Sequence, residues 1–151
     1  TGLVASVAII PNKDLRDKFD AAAGQLMGGV NLMGLLALEV AYSLGDEWLE
    51  QVLRYLESNR NYLMTFFKEN VPRIKAIEPE GSFLAWLDCT DLRLSPKLLQ
   101  AFFTEKAGVG LNPGVSYGPG AEAFMRINFA YSRSVLEDGL MRIAAAVDAA
   151  E

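Results

Sequence analysis

The chain has 151 residues, of which 51% are hydrophobic, and a formal net charge of −5 at neutral pH. This length is enough for one compact core, and the balance of apolar and charged residues predicts a folded chain. There are 14 basic and 19 acidic residues and no basic stripe, so nucleic acid is not an expected partner. No apolar run reaches membrane-spanning length and the N-terminus lacks a signal-peptide pattern, so no membrane association is expected.

Two residue types limit the chemistry of the chain. It contains no histidine, which excludes Ser–His and Cys–His catalysis and the histidine-dependent zinc motifs. Cys89 is the single cysteine, so no internal disulfide can form and a reducing, cytoplasmic location is expected. The acidic residues show no recognisable catalytic pair or metal-ligand set. None of the lysines looks like the desolvated amine that Schiff-base chemistry needs; they are Lys13, Lys18, Lys68, Lys75, Lys97 and Lys106.

The first 70 residues predict one strand and three helices. Residues 3–10 are apolar on both faces, as expected of a strand buried inside a sheet. Asn12 and Asn31 can cap the first two helices, Asp46 can cap the third, and Pro72 follows its end. These elements carry more apolar surface than they can bury together. We therefore expect the chain to be the C-terminal part of a larger protein. The predicted elements are strand 3–10 and helices 13–27, 32–44 and 46–70.

After Pro72 the pattern predicts a compact α+β unit, with a mixed or antiparallel sheet and flanking helices. We expect a domain boundary at this proline, which divides the chain into residues 1–70 and 71–151. A capping box formed by Ser134 and Glu137 is expected to open the last helix. The predicted elements are strands 73–78 and 82–89, a helix between Ser95 and Gly108, a strand over 124–131 and a helix from Val135.

The strand over 124–131 has two unlike faces, and Arg126 lies on the less apolar one. A guanidinium group can grip a carboxylate through two parallel hydrogen bonds. Two interpretations stay open from the residues alone: Arg126 binds a small-molecule carboxylate, or it pairs with an internal Asp or Glu. One face carries Met125, Ile127, Phe129 and Tyr131, and the other carries Phe124, Arg126, Asn128 and Ala130.

The loop 112–120, rich in Gly and Pro, precedes this strand. Its spacing does not match a phosphate-binding G-x-G-x-x-G loop. It is either a mobile loop over a site or a plain surface connection. The aromatic residues of the third helix, among them Tyr55 and Tyr62, are expected to serve packing rather than ligand stacking.

The ordered segments of the chain resemble the C-terminal half of a fold-type-I PLP-dependent enzyme. Within the class I/II aminotransferase superfamily they are most similar to the cystathionine β-lyase, or C–S lyase, branch. The resemblance implies an α/β PLP-transferase-like fold, with residues 1–70 ending the large PLP-binding domain and residues 71–151 forming the small domain. The matching segments are LVASVAIIPN, NLMGLLALEVAY, EWLEQVLRYLESN, EGSFLAWLDC, EKAGVGLNPGVSYG and FMRINFAYSRSVLE.

The resemblance also implies a cofactor and a site. In the family, an Arg in an R-I-N-x-A context holds the α-carboxylate of the amino-acid substrate, which assigns substrate binding to Arg126 and Asn128. The cofactor is pyridoxal 5′-phosphate, and its Schiff-base lysine is expected upstream of Thr1, so no catalytic residue is assigned within the chain. Residues 2–5 offer no basic residue for the cofactor phosphate, which favours the lyase branch over the aminotransferases.

The implied function is a cytoplasmic, homodimeric C–S β-lyase. It would convert cystathionine or cysteine into pyruvate, ammonia and a thiol. An aminotransferase with the same parts is one alternative. A non-catalytic dimerisation or ligand-binding module is another, because the chain on its own lacks the Schiff-base lysine and is expected to be inactive.

Overall fold

The computed structural model describes residues 2–24 and 29–150. The chain divides into two compact units, Thr1–Gln51 and Val52–Glu151, and the division falls inside a long helix. Residues 52–70 of this helix belong to the second unit, where Leu63, Phe66 and Phe67 are part of the core. The division therefore lies N-terminal to the expected boundary at Pro72. The assignment of residues 1–70 to the end of a larger domain stays a prediction.

The first unit contains helices α1 (Lys13–Ala23) and α2 (Leu32–Leu44). Both caps are as predicted: the side chain of Asn12 accepts a hydrogen bond from the Leu15 amide, and that of Asn31 accepts one from the Gly34 amide. Helix α1 ends at Ala23, and the predicted continuation over residues 25–27 lies outside the described residues.

The predicted strand over residues 3–10 is wrong for this structure. These residues form no strand, and most of their side chains are exposed. A buried strand needs neighbouring strands to satisfy its backbone groups, and the described part of this unit contains none. Two carbonyl groups of residues 3–10 accept side-chain hydrogen bonds instead. Leu3 O accepts one from Asn31 Nδ2 at 2.7 Å, and Ile10 O accepts one from Arg16 Nη1 at 3.0 Å.

Helix α3 (Asp46–Asn70) follows Gly45, the C-cap residue of α2, whose amide still donates to Ala41 O. Asp46 is the first residue of α3 rather than its cap, and its acidic side chain suits the positive end of the helix dipole. The helix ends just before Pro72, as predicted. In its second half Leu63, Phe66 and Phe67 are buried.

The second unit contains a four-stranded antiparallel sheet with strand order β1-β2-β4-β3. Because successive side chains of a strand point to opposite faces, Ala85, Leu87, Met125 and Ile127 all lie on the core face, where they are buried. The predicted α+β class and antiparallel sheet are confirmed. The strands are β1 (Lys75–Ile77), β2 (Leu84–Asp88), β3 (Asn112–Pro113) and β4 (Phe124–Asn128).

Helices α4 (Pro96–Ala101) and α5 (Arg133–Asp148) complete the unit, and one turn of π-helix over Phe102–Lys106 extends α4. The predicted stripe of α5 is buried, as expected. The predicted capping box is wrong: α5 begins at Arg133, so Ser132 rather than Ser134 holds the cap position, without a side-chain cap bond. The stripe is Leu136, Leu140, Ile143 and Val147.

Within residues 2–24 and 29–150, no helix combines the length and the apolarity that crossing a membrane requires.

Candidate substrate-carboxylate site

Arg126 lies in the middle of β4, on the face of the sheet opposite the core. Its neighbours Met125 and Ile127 are buried in the core, so strand alternation directs Arg126 the other way. The strand register places it directly opposite Trp86 of β2 on one side and Asn112 of β3 on the other. Three adjacent strands therefore bring one aromatic, one cationic and one amide side chain into a single row.

The guanidinium group of Arg126 is oriented by two neighbours. Its Nη2 donates to Asn112 Oδ1 at 3.1 Å, and its Cζ lies 4.8 Å from the centre of the Tyr117 ring. The Tyr117 ring meets Trp86 edge to face at 5.3 Å, and Trp86 meets Phe124 in the same way at 6.2 Å. The electron-rich face of an aromatic ring attracts a cation, so this aromatic group holds the guanidinium without neutralising it.

The positive charge of Arg126 has no carboxylate partner among the described residues, whose ion pairs all involve other cations. Its Nε is buried and donates to no atom of the described chain. An unpaired charge in a partly sheltered position is unfavourable until an anion binds it. The alternative of an internal Asp or Glu partner is therefore not observed in this part of the chain, and an external anion is the partner that the chemistry fits.

Asn128 lies two residues further along the same face. Its Oδ1 accepts a hydrogen bond from the Ala130 amide at 2.8 Å, which shapes the turn after β4. This bond uses the oxygen of the side chain and leaves its amide nitrogen as the group suited to an anionic ligand. The structure thus gives Asn128 a local structural contact, and its predicted role in substrate binding stays a prediction.

A cavity of about 410 Å³ lies beside β4, the segment 108–112 and α5, and both Arg126 and Asn128 line it. A second cation in its wall, Arg142, differs from Arg126 because it is already paired. Arg142 Nη2 lies 2.7 Å from Asp138 Oδ2, and its Nη1 donates to Gly108 O at 3.1 Å. Of these two arginines, only Arg126 has no acidic partner in the described chain.

Binding of PLP through a Schiff base requires a desolvated lysine amine. All six lysines are exposed, and none lines the cavity of Arg126. The hydrogen bond and charge of Asp91, 3.0 Å away, raise the pKa of Lys75, so this amine stays protonated and has no free lone pair for attack. Burial raises the pKa of the Cys89 thiol to about 12, so it is not a nucleophile either. The site therefore fits a substrate carboxylate but does not supply the amine that would bind the cofactor.

The loop 112–120 has a structural link to this site. Its residues 114–117 form a 3-10 turn that carries Tyr117 to the guanidinium of Arg126. Gly114 is packed so closely that a Cβ atom there would collide with the backbone oxygens of Ala121 and Phe124. The sequence did not reveal Asn112, Tyr117 or Trp86 as partners of Arg126, because strand register cannot be read from one sequence.

No protein-family profile matches the chain. It is 42% identical over 147 residues to cystathionine β-lyase PatB of Bacillus subtilis, which covers 97% of this chain and 38% of PatB. Among solved structures, cystalysin from Treponema denticola with its pyridoxal 5′-phosphate cofactor has a TM-score of 0.87 at 30% identity, covering 95% of this chain and 36% of cystalysin. A PLP-bound putative aminotransferase from Clostridium difficile 630 has a TM-score of 0.85 at 37% identity, covering 92% of this chain and 36% of that protein.

These similarities, with the antiparallel sheet and its flanking helices, define the class of the protein. The chain belongs to the fold-type-I PLP-dependent enzymes, the superfamily of cystathionine β-lyases, C–S lyases and aminotransferases. The predicted resemblance is confirmed. The chain spans less than two-fifths of the length of the curated relatives that it matches.

Proposed function

We propose that this chain is the substrate-carboxylate-binding part of a PLP-dependent C–S β-lyase. The substrates are cystathionine- or cysteine-type amino acids, and the products are pyruvate, ammonia and a thiol. The observation that carries the proposal is Arg126, a half-buried arginine without an acidic partner among the described residues. The lyase assignment is supported by relatives named cystathionine β-lyase or C–S lyase.

In this proposal the residues of the chain bind and orient the substrate. Arg126 takes the α-carboxylate through charged hydrogen bonds, Asn112 fixes the plane of the guanidinium, and Tyr117 covers it. Asn128 supports the same carboxylate from the end of β4. PLP, when bound, supplies the electron sink for the chemistry at the α-carbon. The lysine that holds it is proposed to lie upstream of Thr1, so the chain on its own is expected to be inactive.

An aminotransferase is the second candidate, supported by the similarity to the PLP-bound putative aminotransferase from C. difficile 630. The same carboxylate site serves both reactions, so products must distinguish them. A lyase incubated with cysteine releases hydrogen sulfide and pyruvate without a second substrate. An aminotransferase instead needs a keto acid and yields a new amino acid in equal amount.

The role of Arg126 is tested by Arg126→Ala in the complete enzyme that contains this segment. We expect kcat/KM to fall, mostly through a higher KM, because charged hydrogen bonds to the substrate are lost. The loss corresponds to about 2–4 kcal/mol of transition-state stabilisation. Arg73→Ala is the matched control, since Arg73 donates only a 3.3 Å hydrogen bond to the Asp91 carbonyl near β1. Unchanged kinetics for Arg126→Ala would show that the carboxylate binds elsewhere.

The proposal also includes a domain assignment, an assembly and a location. Residues 1–70 end a large PLP-binding domain, and residues 71–151 form the small domain.

Helix α2 leaves apolar side chains exposed, among them Leu32, Leu36 and Leu44, which supports a homodimer in the complete enzyme. Chemistry that releases thiols, together with the unpaired Cys89, suits a reducing location such as the cytoplasm. Light scattering of the complete enzyme tests the dimer.

A further inference from the structure

Asn59 is the one polar residue that the described part of the chain buries in its core, with an exposure of 0%. It lies on α3, and its Nδ2 donates to Phe129 O and to Tyr131 O, both at 2.9 Å. Both atoms that it contacts are acceptors, so the amide nitrogen must face them. A helix is thereby joined through one side chain to a segment about 70 residues further along the chain.

Three other residues of α3 hold the same segment. The hydroxyl of Tyr55 accepts a hydrogen bond from the Arg133 amide, and Ser58 Oγ accepts one from Arg133 Nη2, both at 2.7 Å. The Arg133 guanidinium also lies over the ring of Tyr62, 4.5 Å from its centre. Positions 55, 58, 59 and 62 share one face of a helix. This face, which we call the α3 clamp, therefore fixes the residues that follow β4.

The segment held by the clamp is continuous with the carboxylate site. Arg126 and Asn128 lie in β4, and Phe129 follows immediately, with its amide bonded to Phe83 O at 3.0 Å. The Phe83 carbonyl and Asn59 thus hold Phe129 by its amide and its carbonyl. Arg126 lies three residues from this point on a strand, so a shift of the segment would also shift the side chains of β4.

We propose that Asn59 is a positioning residue for the carboxylate site: it sets the end of β4, and through it the placement of Arg126 and Asn128. This inference rests on the proposed function. An apolar side chain could fill the same volume without burying a polar group. The amide instead supplies two directed bonds, which fix where the backbone lies rather than only filling space.

The test replaces Asn59 in the complete enzyme with a residue of equal size that lacks the two donors. In Asn59→Asp, an oxygen would face two carbonyl oxygens and repel them. We expect the KM for cysteine and the inhibition constant of propionate, a carboxylate without an amino group, each to rise about tenfold, with kcat changed less than threefold.

Burial raises the pKa of the carboxyl group that Asn59→Asp introduces, and the protonated form of this group can donate one hydrogen bond. The ratio of variant to wild-type KM should therefore decrease as pH is lowered.

The matched control is Phe67→Leu, which changes a buried residue of the same helix that lies two turns away and is not part of the clamp. It should lower Tm while leaving KM within about twofold of wild type. If Phe67→Leu raises KM as much as Asn59→Asp does at an equal loss of Tm, the effect is general destabilisation and the inference fails.

Two further variants separate the possible failures. Arg126→Ala tests the proposed function: if it raises KM and Asn59→Asp does not, only the inference about Asn59 is wrong. If Asn59→Asp does not fold, Asn59→Ala replaces it, because it removes both donors without adding a charge. Asn59→Ala should raise KM about threefold or more, and an unchanged KM would overturn the inference.

Discussion

Two arginines of the second unit, Arg126 on β4 and Arg142 on α5, line the same cavity and have opposite surroundings. Arg142 is satisfied by its own chain, through Asp138 and the Gly108 carbonyl, and its side chain is 51% exposed. Arg126 is half-buried, with an amide and an aromatic ring beside it and no acidic partner in the described part of the chain.

The difference shows how a ligand-binding arginine can be recognised. An exposed arginine with an acid one helical turn away contributes little beyond local stability. A sheltered arginine without an acid keeps an unfavourable charge that an incoming anion can relieve. The aromatic ring and the amide hold the guanidinium in place before the ligand arrives. An arginine with an acid beside it therefore has a structural role, and a sheltered arginine without one is a candidate for ligand binding.

Arg126 can be made to resemble Arg142 by supplying an acid. Asn112→Asp would place a carboxylate about where Asn112 Oδ1 now lies, 3.1 Å from Arg126 Nη2. We expect the KM for cysteine to rise about 10- to 100-fold, because the internal carboxylate competes with that of the substrate.

Asn112→Ala is the matched variant, since it removes the same hydrogen bond without adding a charge. It should raise KM by less than about fivefold. Equal effects of the two substitutions would mean that the loss of the amide, and not competition by an acid, explains the result.

The aromatic cover of Arg126 is expected to have a smaller effect. Tyr117→Leu removes the ring that lies 4.8 Å from the guanidinium carbon. We expect kcat/KM to fall by an amount that corresponds to about 0.5–1 kcal/mol of lost stabilisation, since a cation over a ring at a partly exposed position contributes about that much. Tyr117→Phe keeps the ring and should behave almost as wild type, so a large loss in that variant would assign the effect to the hydroxyl.

The smallest effect is expected when Arg142 loses its ion-pair partner, Asp138. Asp138→Asn removes an ion pair between exposed side chains four residues apart on α5. The free energy of unfolding should fall by about 0.3–0.5 kcal/mol, and less at high salt. Denaturant titration measures this change. KM should not decrease, because the Arg142 side chain is already 51% exposed, and a tenfold lower KM would contradict the comparison.

The sequence predicted the parts of the fold that depend on local pattern. The caps Asn12 and Asn31, the end of α3 before Pro72 and the buried stripe of α5 all follow from rules that act within a few residues. The two faces of β4 followed from alternation, which is why Arg126 could be singled out before its neighbours were known.

Features that depend on distant residues were missed. Residues 3–10 have the composition of a buried strand, but a strand forms only beside another strand, and the described part of their unit has none. The partners Asn112 and Tyr117 depend on strand register and on the course of a loop. Tyr55 and Tyr62 were expected only to pack, yet both contact Arg133, more than 70 residues away.

The central claim is that Arg126 binds the substrate carboxylate. A crystal structure of the complete enzyme with an unreactive amino-acid analogue tests it most directly. The account predicts that the α-carboxylate lies within about 3 Å of the Arg126 guanidinium nitrogens, with Tyr117 still over the guanidinium. A carboxylate bound to a different cation, with Arg126 still paired only with Asn112, would contradict the claim.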